Sequence, residues 1–255
     1  MIPFGLRPFN KPDLARPYAA LASFYDDLMD HVEYQIWADY LELLFKKGGK
    51  RVRFILDSGC GTGVLLSELS KRQYHITGFD QSLEMVKIAK RRRNQKICCA
   101  NLIQLPFSKG FDAVLCLFDT VHYLKCDQIE SFFLETSRVL SSGGLFIFDV
   151  VTEQHVLEYW ADYTDIIKEK NWELVRRSWY DRGKKIQYTE FEIFFVTKKK
   201  RVKEKHVQQI YPLKVMQKII AQTGFQTIGV FSEMTLDPGS EASDRVHYVL
   251  RRIKS

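Results

Sequence analysis

The sequence has no run of about 20 apolar residues, the length that a helix needs to cross a bilayer, so no membrane span is predicted. Its first eight residues, MIPFGLRP, lack the basic region and apolar core of a secretory signal. The five cysteines show no spacing typical of a metal site, and three fall in predicted buried strands. These absences predict a reduced, cytoplasmic protein that holds no metal.

Proline is scarce except near the start, where residues 1–17 hold four of the seven, and this predicts an extended arm. The net charge of +7 comes largely from basic clusters at residues 46–53, 87–96, 198–205 and 251–254. We interpret the clusters as solvated helix ends and a hairpin tip. A nucleic-acid surface remains an alternative.

The 255 residues are enough for one α/β domain with additions. From residue 18, apolar stripes containing Leu21 and Trp37 predict two amphipathic helices. Strands then alternate with helices through residue 148, as a parallel sheet requires. One helix is predicted over 127–140, starting at Asp127 with Glu130 three residues on and ending in residues 141–144.

After residue 151 the alternation breaks. Segments 173–180, 185–197 and 201–210 predict three antiparallel strands with connections too short for parallel crossovers. A helix from Pro212 and strands at 226–231 and 246–253 complete the chain. We therefore predict an arm at 1–17, a main domain made of 18–151 and 211–255, and an inserted subdomain at 152–210.

Residues 55–63, ILDSGCGTG, are the most informative segment. An apolar strand ends in Asp57, and Gly59, Gly61 and Gly63 then lead into an amphipathic helix that begins at Val64. Such a turn lets a ligand touch the backbone, and it most often binds a nucleotide-like cofactor.

The spacing indicates which cofactor. A dinucleotide loop would have glycine where Val64 stands, and a phosphate loop would carry a lysine. Asp57 would repel a polyphosphate but suits an ammonium group, which disfavours a nicotinamide oxidoreductase. Asp80 ends the next strand, 23 residues after Asp57, where it can accept hydrogen bonds from both ribose hydroxyls. The pattern predicts a phosphate-free nucleoside with an amino-acid tail.

Residues 57–63 with Asp80 closely resemble the first motifs of class I S-adenosylmethionine-dependent methyltransferases. The resemblance continues through 101–106 (NLIQLP), 111–119 (FDAVLCLFD) and 143–149 (GGLFIFD), and so covers nearly the whole chain. Where Asn101 stands, the family usually has Asp. Residues 25–29 and the strand-rich insert resemble the small-molecule branch of the family.

The resemblance implies a doubly wound, mostly parallel, seven-stranded sheet with N-terminal helices and the antiparallel insert as a cap over the substrate pocket. It also implies that Asn101 meets the adenine amino group and that Leu102 and Ile103 flank the base. The residues implied for S-adenosylmethionine are Tyr25, Trp37, Asp57, Ser58, Gly59, Cys60, Gly61, Gly63, Asp80, Gln81, Met85, Asn101, Leu102, Ile103, Leu117, Phe118 and Asp119.

Candidates for chemistry are Tyr25, His122 and Tyr123, the last two just beyond a strand's carboxyl end, where a side chain could take a proton from the acceptor. A core or solvent-facing role is the alternative for each. In the insert, Glu190 and Glu192 share a face with Tyr188. If these carboxylates face the pocket, they would favour an amine substrate; the alternative is that they lie on a solvated outer face. His206 on the neighbouring strand has the same two interpretations.

We expect methyl transfer to an N or O atom of a small molecule, with S-adenosylhomocysteine as product. Alignment should contribute more than a general base, since effective molarities reach roughly 10⁵–10⁸ M and a base adds about 10²–10⁴-fold. A methyltransferase for RNA or protein that uses the basic surface is one alternative. A protein that binds the cofactor without turnover is another.

Overall fold

The computed structural model describes residues 12–92 and 96–253. Its strands are β1 Asp13–Ala15, β2 Phe54–Ser58, β3 His75–Asp80, β4 Lys96–Cys99, β5 Phe111–Cys116, β6 Leu140–Val151, β7 Asp162–Lys168, β8 Trp172–Asp181, β9 Ile186–Phe195, β10 Lys200–Gln209, β11 Phe225–Ser232 and β12 Arg245–Arg252. Its helices are α1 Tyr25–Leu28, α2 Tyr34–Lys47, α3 Val64–Lys71, α4 Leu83–Ala89, α5 Cys126–Val139, α6 Glu153–His155 and α7 Leu213–Ala221. Leu21–Phe24 and Thr120–Tyr123 are single 3₁₀ turns, and Val156–Trp160 is a π-helical turn.

Seven of the described strands form the main sheet, in the order β11-β12-β6-β5-β2-β3-β4. The five strands from β6 to β4 run parallel, whereas β12 runs antiparallel to β6 and β11 antiparallel to β12. This confirms the predicted doubly wound, mostly parallel, seven-stranded sheet. The chain moves outward from β2 to β4 and then returns to the other side of β2 for β5. Ligands bind where the strand order reverses in this way, at the carboxyl ends of the strands.

Both faces of the main sheet are covered, which explains the continuous apolar strands. Phe146 and Phe148 of β6 pack with Phe133 of α5 on one face. Leu145 and Ile147 of the same strand belong to the core on the other face, with α2 and α3. In the described chain no helix is both long and apolar enough to span a bilayer.

A second sheet, the cap sheet, has the order β1-β10-β9-β8-β7. The predicted strands of the insert are present as β8, β9 and β10, but the prediction of three strands was too low. The sequence analysis missed β7, which is half exposed and lacks a strong apolar alternation. It also missed β1, which pairs in parallel with Val202–Glu204 of β10, because that pairing is a long-range contact.

The predicted arm therefore needs a correction. Residues 1–11 lie outside the described residues, but residues 13–15 form a strand of the cap sheet and are not a free extended segment. The chain from 12 to 33, which we call the N-terminal strap, then crosses to the main sheet. Phe24 of the strap stacks on Trp172 of β8 with 4.3 Å between ring centroids, so the strap and the cap share a small core.

Two local predictions also needed correction. The first N-terminal helix is only a 3₁₀ turn followed by the one-turn α1. Helix α5 begins one residue earlier than predicted, where Gln128 Oε1 accepts a hydrogen bond from the Lys125 N–H at 3.0 Å. Residues 141–144 belong to β6 and do not form a terminating turn.

Candidate active site

A cavity of about 860 Å³ lies at the carboxyl ends of β2, β3 and β5, under the N-terminal strap. Several residues predicted for the cofactor line it, together with the predicted Tyr123. They are Tyr25, Asp57, Gly59, Cys60, Gly61, Asp80, Gln81, Met85, Leu102, Leu117 and Phe118. The fold thus brings the glycine loop and both acids together at the predicted edge of the sheet.

The glycine loop takes left-handed backbone angles at Gly59, Gly61 and Gly63, with φ of 78°, 54° and 77°. At Gly59 a Cβ atom would come within 2.5 Å of the Thr120 side chain, so only glycine fits this approach. A Cβ at Gly61 would meet no atom within 4 Å, because this residue faces the cavity. The loop therefore exposes backbone to a ligand.

Asp80 is oriented by the backbone around it. Its Oδ2 accepts a hydrogen bond from the Gly61 N–H at 2.9 Å, and its Oδ1 accepts one from the Ser82 N–H at 2.8 Å. Each carboxylate oxygen retains a further acceptor site, which matches a pair of hydroxyl donors. Burial raises the pKa of Asp80, although the backbone hydrogen bonds act in the opposite direction.

Asp57 is only 4% exposed, and its carboxylate has no hydrogen-bond partner among the residues that the structure describes. Burial, followed by the nearby charge of Asp80, raises the pKa of Asp57 to about 7. A buried carboxylate without a partner is costly and is stabilised by a cation. Together, Asp57 and Asp80 fit a ligand that carries an ammonium and a diol, and they do not fit a polyphosphate.

The turn after β5 stores backbone strain next to the cavity. Phe118 and Asp119 both adopt left-handed conformations, with φ of 55° and 63°. Such angles cost about 1–3 kcal/mol each in residues other than glycine, and they tend to cluster at functional sites. Here the turn places Thr120 against Gly59 and Phe118 on the cavity wall.

The described chain presents four tyrosines to the cavity: Tyr18, Tyr25, Tyr34 and Tyr123. The sequence analysis did not predict Tyr18 or Tyr34 as site residues. Tyr18 lies between the proline-rich segment and the first predicted helix, and no local pattern distinguishes it. Burial raises the pKa of Tyr18 and of Tyr25 well above the usual value, so both are neutral phenols, and the Tyr18 hydroxyl lies 2.8 Å from that of Tyr123.

Comparison with known proteins agrees with this geometry. Residues 55–144 match the family described as "Methyltransferase domain". The putative methyltransferase YqeM of Bacillus subtilis is 28% identical over 93% of this chain and 98% of its own length. The human protein named probable tRNA methyltransferase 9B is 35% identical, but over 49% of this chain and 29% of its own length.

Two solved structures have the same fold over most of both chains. A S-adenosylmethionine-dependent methyltransferase from Clostridium acetobutylicum superposes with a TM-score of 0.81 at 20% identity, covering 93% of this chain and 99% of its own. The sugar N-methyltransferase KedS8 from Streptoalloteichus superposes with a TM-score of 0.73 at 17% identity over 100% of both. The chain therefore contains a methyltransferase domain over residues 55–144 and has the fold of class I S-adenosylmethionine-dependent methyltransferases.

His122 does not reach the cavity, contrary to its prediction as a proton acceptor. Its ring is fully buried, its Nδ1 lies 2.7 Å from the Gln209 carbonyl, and its Nε2 accepts the Val151 N–H at 3.0 Å. Both nitrogens are thus occupied by backbone, and burial lowers the pKa of the ring. The geometry gives His122 the role of a neutral link between the ends of β6 and β10.

Asp119 and Trp37 also lie behind the cavity wall. Asp119 pairs with the Arg245 guanidinium, which also pairs with Asp149. Burial opposes ionisation of Asp119, but Arg245 outweighs it and holds the pKa of Asp119 below its usual value. Trp37 packs against Phe118 with 4.5 Å between ring centroids. These residues support the strained turn and do not line the cavity.

The other predicted cofactor residues outside the lining are Ser58, Gly63, Asn101 and Ile103. Asn101 is exposed, and its Oδ1 accepts the Ile103 N–H at 3.1 Å, so the side chain stabilises a local turn. Leu102 alone of the 101–103 segment lines the cavity. The contact predicted between Asn101 and adenine is therefore not supported by the position of this side chain.

In the cap, Glu190 and Glu192 lie on the outer face of the sheet, which is the alternative given for them in the sequence analysis. They pair with Lys203 at 2.7 Å and Arg201 at 3.2 Å on the outer face, and neither lines the cavity. Tyr188, on the same face, stacks on Trp179. His206 points to the opposite, inner face, where it is 3% exposed.

Proposed function

We propose that this methyltransferase transfers a methyl group to an N or O atom of a small molecule held in a tyrosine-lined chamber between the main sheet and the cap. The supporting observation is the way the strap and β10 cover the cavity. Tyr18 of the strap and Tyr123 of the main domain line this cavity, and Lys205 lines it where β10 extends beyond its pairing with β1. Its 860 Å³ lies within the range of roughly 300–1,000 Å³ typical of small-molecule sites.

In this proposal Asp80 binds the ribose diol of S-adenosylmethionine, Asp57 binds the ammonium group, and Met85 and Leu102 contact the adenine. The cofactor, when bound, supplies an electrophilic methyl group on a sulfonium that departs as a neutral thioether. The chain needs to align the acceptor, exclude water and receive a proton. The buried tyrosines can position the acceptor by hydrogen bonds, and the closed strap can exclude water.

The positions of two of the four basic clusters, at residues 46–53 and 251–254, favour a small molecule over RNA. Arg251 donates to the Gly48 carbonyl and Lys50 pairs with Asp112, all near the amino-terminal ends of the parallel strands. That edge lies opposite the cavity. A polynucleotide substrate needs a basic groove leading to the reacting atoms.

RNA methylation remains the second candidate, favoured by the relative named as a probable tRNA methyltransferase. Binding without turnover is the third. A reducing, cytoplasmic setting is part of the proposal as well, supported by cysteines that are all unpaired in the described chain.

The test is calorimetry with S-adenosylhomocysteine, followed by product assays in which the release of S-adenosylhomocysteine is measured with a panel of small alcohols, phenols, amino sugars and amines, and with total tRNA. Turnover of one small class supports the proposal. Turnover of tRNA alone, with binding that falls steeply as salt rises, would replace it with the second candidate. Cofactor binding with no turnover of any acceptor would support the third.

A further inference from the structure

A chain of hydrogen bonds leads from the cavity into the cap sheet. Tyr18 Oη lies 2.8 Å from Tyr123 Oη, and Tyr123 Oη lies 2.7 Å from Nδ1 of His206. His206 Nε2 in turn lies 3.2 Å from Oε2 of Glu204. The two tyrosines line the cavity, whereas His206 and Glu204 are 3% and 0% exposed and do not.

Glu204 is held firmly at the far end of this chain. Its carboxylate accepts hydrogen bonds from the backbone N–H groups of Tyr18 at 2.8 Å and Leu21 at 3.0 Å, and also from that of Ala20. These donors belong to the strap, and they hold Tyr18 in a left-handed conformation with φ of 61°. Strain at a tyrosine that faces the cavity is typical of a functional constraint.

The direction of the hydrogen bonds follows from the chemistry of the donors. Glu204 as a carboxylate has only acceptors, so Nε2 of His206 must carry the proton between them. Nδ1 of a neutral His206 is then an acceptor, and Tyr123 donates to it. Tyr18 donates to Tyr123 in the same way, which leaves a lone pair of the Tyr18 oxygen free to accept a proton from the cavity.

We propose that Tyr18, Tyr123, His206 and Glu204 form a proton relay that removes the proton from the methyl acceptor. The acceptor lone pair forms the new bond to the methyl carbon, and the carbon–sulfur bond breaks with its electrons kept by sulfur. The acceptor proton passes to Tyr18 while Tyr18 and Tyr123 each hand their own proton on, so that one proton ends on Nδ1 of His206. The resulting imidazolium is stabilised by Glu204, as a buried carboxylate stabilises histidine in hydrolase triads.

The relay rests on the proposed function and narrows the acceptor. It serves a nucleophile that has a lone pair and also carries a proton to lose, either a hydroxyl group or a neutral amine. Tyr18 touches the acceptor, whereas His206 and Glu204 act through Tyr123 as positioning residues that also hold the proton. Other ionisable groups near the two tyrosines are Tyr25, Asp80, Asp119 and Lys205.

The test that needs no acceptor is nitrogen NMR of the full-length protein labelled in histidine, with and without S-adenosylhomocysteine. The signal of His206, assigned by its loss in His206→Gln, should be that of the Nε2–H tautomer. Tyr123→Phe removes the donor to Nδ1 and should shift that nitrogen signal. A Nδ1–H tautomer, or a His206 signal unchanged by Tyr123→Phe, would overturn the relay.

The kinetic test uses the acceptor found in the panel. His206→Gln should lower kcat by about 10²-fold or more with little change in the acceptor KM, and the loss should shrink as pH rises, because the acceptor then ionises without help. Ser178→Ala, which removes a buried hydrogen bond to Thr189 in the same sheet, is the matched control and should keep kcat. A pH-independent loss in His206→Gln, or an equal loss in Ser178→Ala, would reduce His206 to a structural residue.

The two proposals fail in different ways. If S-adenosylhomocysteine does not bind the wild-type protein, the assignment of the cavity to the cofactor is wrong, whatever the tautomer of His206. If it binds and His206 is the Nδ1–H tautomer, the cofactor site stands and the relay is wrong. Matched alcohol and amine acceptors then separate the two kinds of nucleophile.

Discussion

At the scale of single residues, Asp80 is the residue that we propose binds the ribose of the cofactor. Because the Gly61 and Ser82 N–H groups fix its carboxylate, it can accept two hydroxyl donors without reorganisation. We predict that Asp80→Ala lowers the affinity for S-adenosylhomocysteine by about 1.5–3 kcal/mol, the value of hydrogen bonds to a charged group. Calorimetry measures this; an unchanged affinity in a folded variant would contradict the ribose contact.

The raised pKa of Asp57 predicts that the affinity for S-adenosylhomocysteine depends on pH. With its pKa raised to about 7 by burial and by Asp80, the carboxyl is mostly neutral at pH 6 and ionised at pH 8. A cationic ammonium requires the carboxylate, so the affinity for S-adenosylhomocysteine should rise about tenfold from pH 6 to pH 8, with proton release on binding at pH 6. Calorimetry in two buffers of different ionisation enthalpy measures both effects.

Asp57→Asn is the matched variant for this prediction. It keeps the size of the side chain and removes the titration, so its affinity should be lower at pH 8 and nearly flat between the two pH values. A wild-type affinity that falls as pH rises would show that Asp57 does not receive the ammonium.

At the scale of elements, α1 connects the N-terminal strap to the glycine loop. Asp26 accepts hydrogen bonds from Thr62 Oγ1 and from Arg92 at 2.5 Å each, and Arg92 also donates to the Thr62 carbonyl at 2.8 Å. One acid thus joins the strap, the glycine loop and the end of α4. Residues 15–19 and Tyr25 of the strap line the cavity, so a looser strap should let a bound cofactor leave faster.

We predict that Asp26→Ala speeds dissociation of S-adenosylhomocysteine. Partly exposed ion pairs contribute about 0.5–1 kcal/mol, which corresponds to an increase of about two- to fivefold in the dissociation rate. Stopped-flow displacement measures this rate. Asp27→Ala is the control, since Asp27 is exposed and pairs with no other described residue. An equal acceleration in both variants would show that the contacts of Asp26 do not hold the strap over the cofactor.

At the scale of the whole molecule, His122 joins the main sheet to the cap sheet. Its two nitrogens bond the Gln209 carbonyl at the end of β10 and the Val151 N–H at the end of β6. We predict that His122→Leu lowers the free energy of unfolding by about 2 kcal/mol or more, because it removes the partners of the buried Val151 N–H and the partly buried Gln209 carbonyl. Urea unfolding followed by tryptophan fluorescence measures this loss, and His31→Leu, an exposed histidine, is the control. Normal stability with turnover abolished would restore the catalytic interpretation of His122.

The sequence by itself determined the main sheet and the part of the site that depends on local pattern. Strand, glycine turn and helix start follow one another in residues 55–63, and Asp57 and Asp80 end neighbouring strands, so their meeting follows from parallel topology. The strand-rich insert could likewise be predicted, because strands and helices stop alternating after residue 151. These features depend on residues close in sequence, or on the rule that the carboxyl ends of parallel strands lie at the same edge of a sheet.

Only the tertiary structure decided which side chains complete the site. Tyr18 meets Tyr123, 105 residues away, and both depend on where β10 places His206. His122 and Tyr123 are neighbours in sequence, yet the 3₁₀ turn directs one into the backbone between the sheets and the other into the cavity. No local pattern specifies such directions, because they result from packing between elements that are distant in the chain.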